Sequence, residues 1–315
     1  MADWQLRTPV ALIIFNRPDT TEKVFEAIRR AKPPKLLVVA DGPRADRPDD
    51  AVKCAATRAI IERVDWDCEV LKNYSDINLG CGRRPATGIT WVFENVEEAI
   101  IFEDDCLPHP DFFRFCDEML EKYRDDKRVM AVGGTNVLGD WKSNIQSYHF
   151  SYHGSVWGWA SWRRAWQYFD YDIKMWENPE VRTRIRDVIA DDEHYKKREE
   201  IFESVYQKQR TTVWDYQWLF ARLSQSGLTV LPSVNLVVNK GFGHKDATHT
   251  KSNNLGLPDI ENSNFKFPIK FNEFTAVDRD FERELVKKIM PSRNLMVKIK
   301  NKVARLTDQL TPVRD

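Results

Sequence analysis

The chain has 315 residues, with 48 lysines and arginines against 48 aspartates and glutamates and a formal charge of zero. That length buries a substantial core, as one large domain or two fused lobes, and the charge balance excludes the broad basic field of a nucleic-acid binder. Five cysteines (Cys54, Cys68, Cys81, Cys106, Cys116) form no CxxC pair and leave one over, which fits a reducing compartment better than a disulfide scaffold. No signal-peptide pattern opens the sequence and no apolar run is long enough to span a bilayer, so a soluble, cytoplasmic protein is expected.

In chain order, Pro9 to Phe15 reads as an apolar strand, and 16–20 as a turn held extended before Pro18. A helix is expected over 21–31, with Val24, Ala27 and Ile28 at helical spacing. Lys35 to Ala40 is a second strand, stopped by the turn signal Asp41-Gly42-Pro43-Arg44. A helix over 51–63, a third strand over 67–71 and a polar, glycine-bearing loop over 78–85 follow. A helix over 87–95 then leads into the short run Ile100-Ile101-Phe102, which ends in Glu103-Asp104-Asp105. This alternation of strands and helices predicts an α/β fold with a mostly parallel sheet covered on both faces.

Beyond it come a helix over 111–123 and a strand over 129–134. The composition then shifts: the stretch from Trp141 to Trp176 holds six tryptophans. Residues 177–210 are charged and helical in pattern, and Trp214-Asp215 opens another helix-like run to Ser224. Strands are expected over 228–231 and 234–238, followed by a loop over 239–254 that carries His244 and His249. From Asp278 the pattern is helical and basic. Lys287, Lys288, Arg293, Lys298, Lys300 and Lys302 are interleaved with Leu295, Ile299, Val303 and Leu306. Such a tail suits either docking on the protein's own surface or a membrane surface.

The acidic triplet carries the chemistry. Three adjacent carboxylates at the end of a buried strand repel unless water or a cation compensates them, and ligands of open α/β sheets sit beyond the carboxyl ends of strands. A hard divalent cation holding a phosphorylated substrate is one reading; an acidic turn capping the next helix is the other. Gly80, Gly82 and Gly88 do not complete GxGxxG because Pro85 takes the third position, and no P-loop, GxSxG elbow or HExxH is present. Arg83 and Arg84 either steer a diphosphate or are a solvated pair. The tryptophans either stack on sugar rings or pack the core; Trp157 and Trp159 are expected at a sugar site, with Gly158 admitting a ligand, and Trp162 and Trp166 in the core.

The string Ile100-Ile-Phe-Glu-Asp-Asp-Cys-Leu-Pro-His-Pro-Asp-Phe-Phe113 resembles the acidic motif segment of GT-A fold glycosyltransferases, among them eukaryotic N-acetylglucosaminyltransferase I and bacterial family-2-like transferases of nucleotide-diphospho-sugars. Val10 to Pro18 and Val38-Val-Ala-Asp41-Gly42 are similar to that family's first two strands and turns. The likeness is good through about residue 135; beyond that it rests on Trp157-Gly-Trp159, Trp214-Asp215 and the loop from Gly241 to His249. It implies a GT-A-like, Rossmann-like sheet with a nucleotide-sugar-binding lobe over 1–135. An aromatic-rich acceptor lobe of the same domain would occupy 136–275, and a helical tail 276–315.

By the same resemblance, Asp105 would coordinate Mn²⁺ or Mg²⁺ on the donor diphosphate, with His249 as a further ligand. Glu103 and Asp104 would order water, ribose or sugar hydroxyls. Asp41 would contact the base, and Phe15, Asn16 and Arg17 would line the nucleotide pocket. Asp215 would be the catalytic base; as the first residue of a helix, it is equally suited to capping. The activity implied is metal-dependent, inverting transfer of a hexose or N-acetylhexosamine from a nucleotide-diphosphate sugar, a UDP-sugar favoured, to a glycan or lipid-linked glycan. A sugar nucleotidyltransferase and a non-catalytic glycan-binding protein are the alternatives.

Overall fold

The computed structural model describes residues 4–243, 259–260 and 263–290. Its centre is an eight-stranded sheet. In chain order it takes β1 (Val10–Ile14), β2 (Lys35–Ala40), β3 (Glu69–Tyr74) and β4 (Glu98–Glu103), then β6 (Val129–Gly133), β7 (Tyr148–Ser151), β8 (Trp159–Trp162) and β9 (Leu228–Pro232). The spatial order is β3-β2-β1-β4-β8-β6-β9-β7. The first four strands are mutually parallel; β8 and β7 run antiparallel to their neighbours. Strands from both sides of residue 135 therefore share one sheet. The mostly parallel α/β architecture expected from the sequence is present.

Period-two alternation explains why these runs are strands with both faces covered. Val10, Leu12, Ile14, Ile100 and Phe102 enter one apolar cluster, which includes Phe25 of α1 (Pro18–Ala31) and Phe112 of α4 (Pro110–Lys122). Ala11, Ile13, Ala99 and Ile101 enter the other, against Ile89 and Phe93 of α3 (Gly80–Asn95). A helix α2 (Pro48–Ile61) packs beside α1. Slipping β4 by one residue would exchange its two faces, so its register, and with it the position of Glu103, is tightly specified.

One local expectation is corrected. The glycine-bearing stretch is helix, not loop: α3 begins at Gly80 and carries Gly82 in its first turn and Pro85 inside the helix, where proline gives up one intrahelical hydrogen bond. Trp159 to Trp162 is a strand. Alternation sends Trp159 into one cluster and Trp162 into the other. The tryptophans that follow in α5 (Arg163–Trp166) and at the start of α8 (Asp215–Ser224) complete the Trp159 side.

A two-stranded sheet pairs β5 (Cys106–Pro108) with β10 (Val237–Asn239). The charged stretch forms a 3₁₀ turn (Lys174–Glu177), α6 (Pro179–Ile189) and α7 (Asp192–Tyr206), which with α8 share a third apolar cluster around Trp176 and Phe202. Finally α9 (Arg279–Ile289) lays Phe281 and Leu285 against Leu231 of the sheet. The described part of the basic tail thus docks on the body; residues 291–315 lie outside the described residues. No described helix is long and apolar enough to cross a membrane.

His149 of β7 is buried against Phe281, ring centroids 4.1 Å apart and planes tilted by 51°, and neither ring nitrogen has a partner among the described residues. Burial lowers its pKa from 6.5 to about 4. The folded chain thus keeps this imidazole neutral where the unfolded chain protonates. Stability from this residue is complete above pH 6.5 and falls as pH drops toward 4, by about 1.4 kcal/mol per pH unit. His149→Phe is expected to retain about 2 kcal/mol more of its neutral-pH stability at pH 5 than the parent chain does, measured by urea unfolding. An unchanged pH slope would dismiss His149 as its source.

Candidate active site

The carboxyl ends of β1 and β4 lie side by side, with Ile13 opposite Glu103. Ligands of open α/β sheets gather at such ends. Here the chain leaving β1 turns back on the acids leaving β4. The Phe15 amide donates to Asp104 Oδ2 (3.2 Å), and Arg17 Nη1 donates to Asp105 Oδ2 (2.8 Å) while its Nη2 pairs with Asp104 Oδ1. Both aspartates are buried.

Two of the three carboxylates therefore pair with one guanidinium, and Glu103 stands beside them. Burial raises the Glu103 carboxyl to about 8, with Asp105, Asp104 and Asp215 adding repulsion and Arg17 opposing. Burial likewise raises Asp104, again against Arg17. Burial works against the charged form of Arg17, but its two aspartate partners prevail and hold the guanidinium firmly protonated.

The small sheet closes the site from the far side of the sequence. Pairing of Asn239 with Cys106 brings the Lys240 amide to the Asp105 carbonyl (2.7 Å). The next residue, Gly241, lies so close that a Cβ there would stand 2.2 Å from Asp105 Oδ2. Only glycine allows this approach.

A third wall comes from α8. Trp214 is locked in an aromatic cluster, its ring centroid 6.0 Å from Trp159, and its Nε1 donates to Glu103 Oε1 (3.3 Å). This rigid tryptophan sets Asp215, first residue of the helix, next to the acidic triplet. The helix N-terminus favours the charged carboxylate there. Asp215 also lines a cavity of about 240 Å³ together with Trp157, His153 and Arg198. His153 and Arg198 escaped the sequence reading: α7 looked like a solvated charged helix, and no local signal marks which of its arginines turns inward.

Neither a family model nor a curated protein matches the sequence. Among solved structures, S. aureus TarS 1–349 is similar with a TM-score of 0.40 and 10% identity, over 75% of this chain and 61% of that one. The chain thus spans about three fifths of the TarS structure. The inositol-1-phosphate CTP transferase from T. maritima is similar with a TM-score of 0.36 and 8% identity, over 75% of this chain and 89% of that one. At these scores neither likeness bears on substrate or chemistry.

Several expected site residues are committed elsewhere. Trp159 is buried among Trp166, Trp214 and Trp218 and faces no cavity; it supports the site through Trp214 instead of lining it. Gly158, at φ +60°, admits Val237 rather than a ligand: a Cβ would stand 2.8 Å from the Val237 side chain. Arg84 is buried and bonds the Ala40 carbonyl and the Asn73 side chain, tying α3 to β2 and β3, which leaves it unable to steer a diphosphate. Asn16 is buried and gives its amide to Asp50 (2.8 Å), whose carboxyl the Arg44 guanidinium holds down at about 2.

Asp41 is also buried, and its carboxylate accepts from the Gly42, Leu79 and Gly80 amides and from Asn78 Nδ2, closing the start of α3. Arg83 lies over the Tyr171 ring at 5.3 Å. Phe15 keeps a partly open ring, with the Arg44 guanidinium 5.3 Å above it. His244 and His249 lie outside the described residues.

A hard divalent cation takes oxygen ligands, and Asp104 and Asp105 offer carboxylate oxygens where negative charge is in excess. Among the described residues, no three His, Cys, Asp or Glu side chains form a ligating cluster. The donor set therefore fits an ion that completes its shell from a bound diphosphate and water, not one caged by protein.

Proposed function

We propose that this chain is a GT-A-type glycosyltransferase that moves a hexose or N-acetylhexosamine from a nucleotide-diphosphate sugar to an acceptor hydroxyl with inversion. The observation that supports it most is the convergence of Arg17, Glu103, Asp104 and Asp105 with Asp215, acids and guanidinium from one end of the sheet facing a carboxylate at a cavity mouth. The UDP-sugar preference, the glycan or lipid-linked acceptor and the kinship to N-acetylglucosaminyltransferase I rest on the sequence motifs. A sugar nucleotidyltransferase would need a glycine-rich phosphate loop after β1. Here Phe15-Asn16-Arg17-Pro18 turns directly into α1 instead.

Asp105 and Asp104 would hold Mn²⁺ or Mg²⁺ with the donor diphosphate; the ion supplies Lewis-acid stabilisation of the leaving group's charge. Arg17 adds a fixed positive charge beside that diphosphate and offsets the repulsion between the two aspartates. Asp215 accepts the proton of the acceptor hydroxyl. The freed oxygen attacks the anomeric carbon as the bond to the diphosphate breaks on the opposite face. Positive, oxocarbenium-like charge develops at that carbon, and nearby carboxylates stabilise it.

A panel of nucleotide-diphosphate sugars, followed by nucleoside diphosphate release with Mn²⁺ and after chelation, tests the reading. Release from one donor, lost on chelation and restored by Mn²⁺, is the expected result. Failure of every donor both to bind and to turn over would overturn it.

A further inference from the structure

We propose that the acceptor carries an anionic group, a carboxylate or a phosphate, and that Arg198 is the residue that binds it. The inference builds on the glycosyltransferase reading of the Asp215 site and names the class of acceptor. Arg198 projects from α7 into the cavity that Asp215 also lines, and it is only 8% exposed. Its Nε donates to His194 Nε2 (3.1 Å), a histidine that burial and Arg198 itself keep neutral. No carboxylate among the described residues lies within ion-pair distance of its guanidinium, although Asp215 acts on it through space. Buried guanidinium groups are nearly always paired, because desolvating the charge without a partner is costly.

The surroundings deepen the deficit. Behind Arg198 lies Arg222, fully buried, which donates to Thr229 Oγ1 and the Tyr152 carbonyl rather than to an acid. The nearby Glu282 is already engaged by Arg279, Ser151 and the Tyr152 amide. His153 lines the same cavity with its Nδ1 buried and without a partner among the described residues. The Arg198 guanidinium and an orphaned imidazole nitrogen of His153 thus line a cavity of about 240 Å³, with a second acid-free guanidinium, Arg222, buried outside its lining.

The rest of its wall is apolar and aromatic, including Trp157 and Phe281, as suits the carbon face of a sugar ring. A sugar bearing an oxyanion satisfies both demands, because a guanidinium fork takes a carboxylate or phosphate in paired hydrogen bonds. Anchored there, the acceptor would present a hydroxyl to Asp215.

The test compares binding of glucuronic acid, glucose 6-phosphate and neutral glucose by ligand-observed NMR titration, alongside UDP binding as an independent measure of the donor site. The intact chain is expected to bind at least one charged sugar about tenfold or more tightly than glucose. Whichever of the acid and the phosphate binds better identifies the anion. Arg198→Gln is expected to abolish that preference with UDP affinity unchanged, and Arg198→Lys to restore part of it.

Equal binding of charged and neutral sugars by the intact chain overturns the proposal without recourse to any variant. So does a preference that survives in Arg198→Gln. Charged sugars that bind while no nucleotide does would sink the donor-site reading and leave the anion pocket standing.

Discussion

Asp215→Asn is expected to leave donor binding intact while lowering sugar transfer by roughly 10²–10⁴-fold, the usual contribution of a positioned general base. The substitution keeps the shape of the side chain and removes its ability to accept a proton. Its backbone is held by Trp214, which packs on Trp159 and bonds Glu103, so the start of α8 should not move. The donor side loses a repulsive neighbour, since Asp215 is one of the charges that raise the Glu103 carboxyl. Single-turnover transfer from prebound donor, with donor affinity measured separately, separates the two effects. Undiminished transfer would place the base on another residue.

Asp105→Ala is expected to reduce metal-dependent turnover by roughly 10²–10³-fold or more, the scale of losing one preorganised electrostatic contact in a water-poor site. Stability should change little. Arg17 keeps Asp104 as its partner, and the triplet sheds one of three mutually repelling carboxylates. Nucleoside diphosphate release with and without added Mn²⁺, together with a thermal melt, checks both halves. Activity equal to the parent chain's would remove Asp105 from the chemistry, and a collapsed melt would make it a structural residue.

The limits of legibility are visible in single residues. Asp105 and Asp215 stand out in sequence because short apolar or aromatic segments run into them. Arg17 was marked only as a pocket residue; its grip on two aspartates 87 and 88 positions away follows from the pairing of β1 with β4. Trp159 was expected at a sugar site because aromatic faces stack on sugar rings, and local sequence does not distinguish that use from core packing. Its place on β8, between β4 and β6, buries it in the core. Arg84 and Asn16 are polar residues in loop-like sequence whose partners, Asn73 and Asp50, lie on other elements.

The sequence by itself determined the alternation of strands and helices, the covering of both sheet faces and the placing of an acidic triplet at a strand's carboxyl end. These follow from local periodicity and from the few ways parallel strands can connect. Only the tertiary structure decided that Arg17 neutralises the aspartates, that Gly241 lies against Asp105, and that Arg198 enters a cavity without an acid to meet it. Each depends on contacts between segments far apart in the chain, where burial changes what a charge costs and local pattern carries no record of which partner arrives.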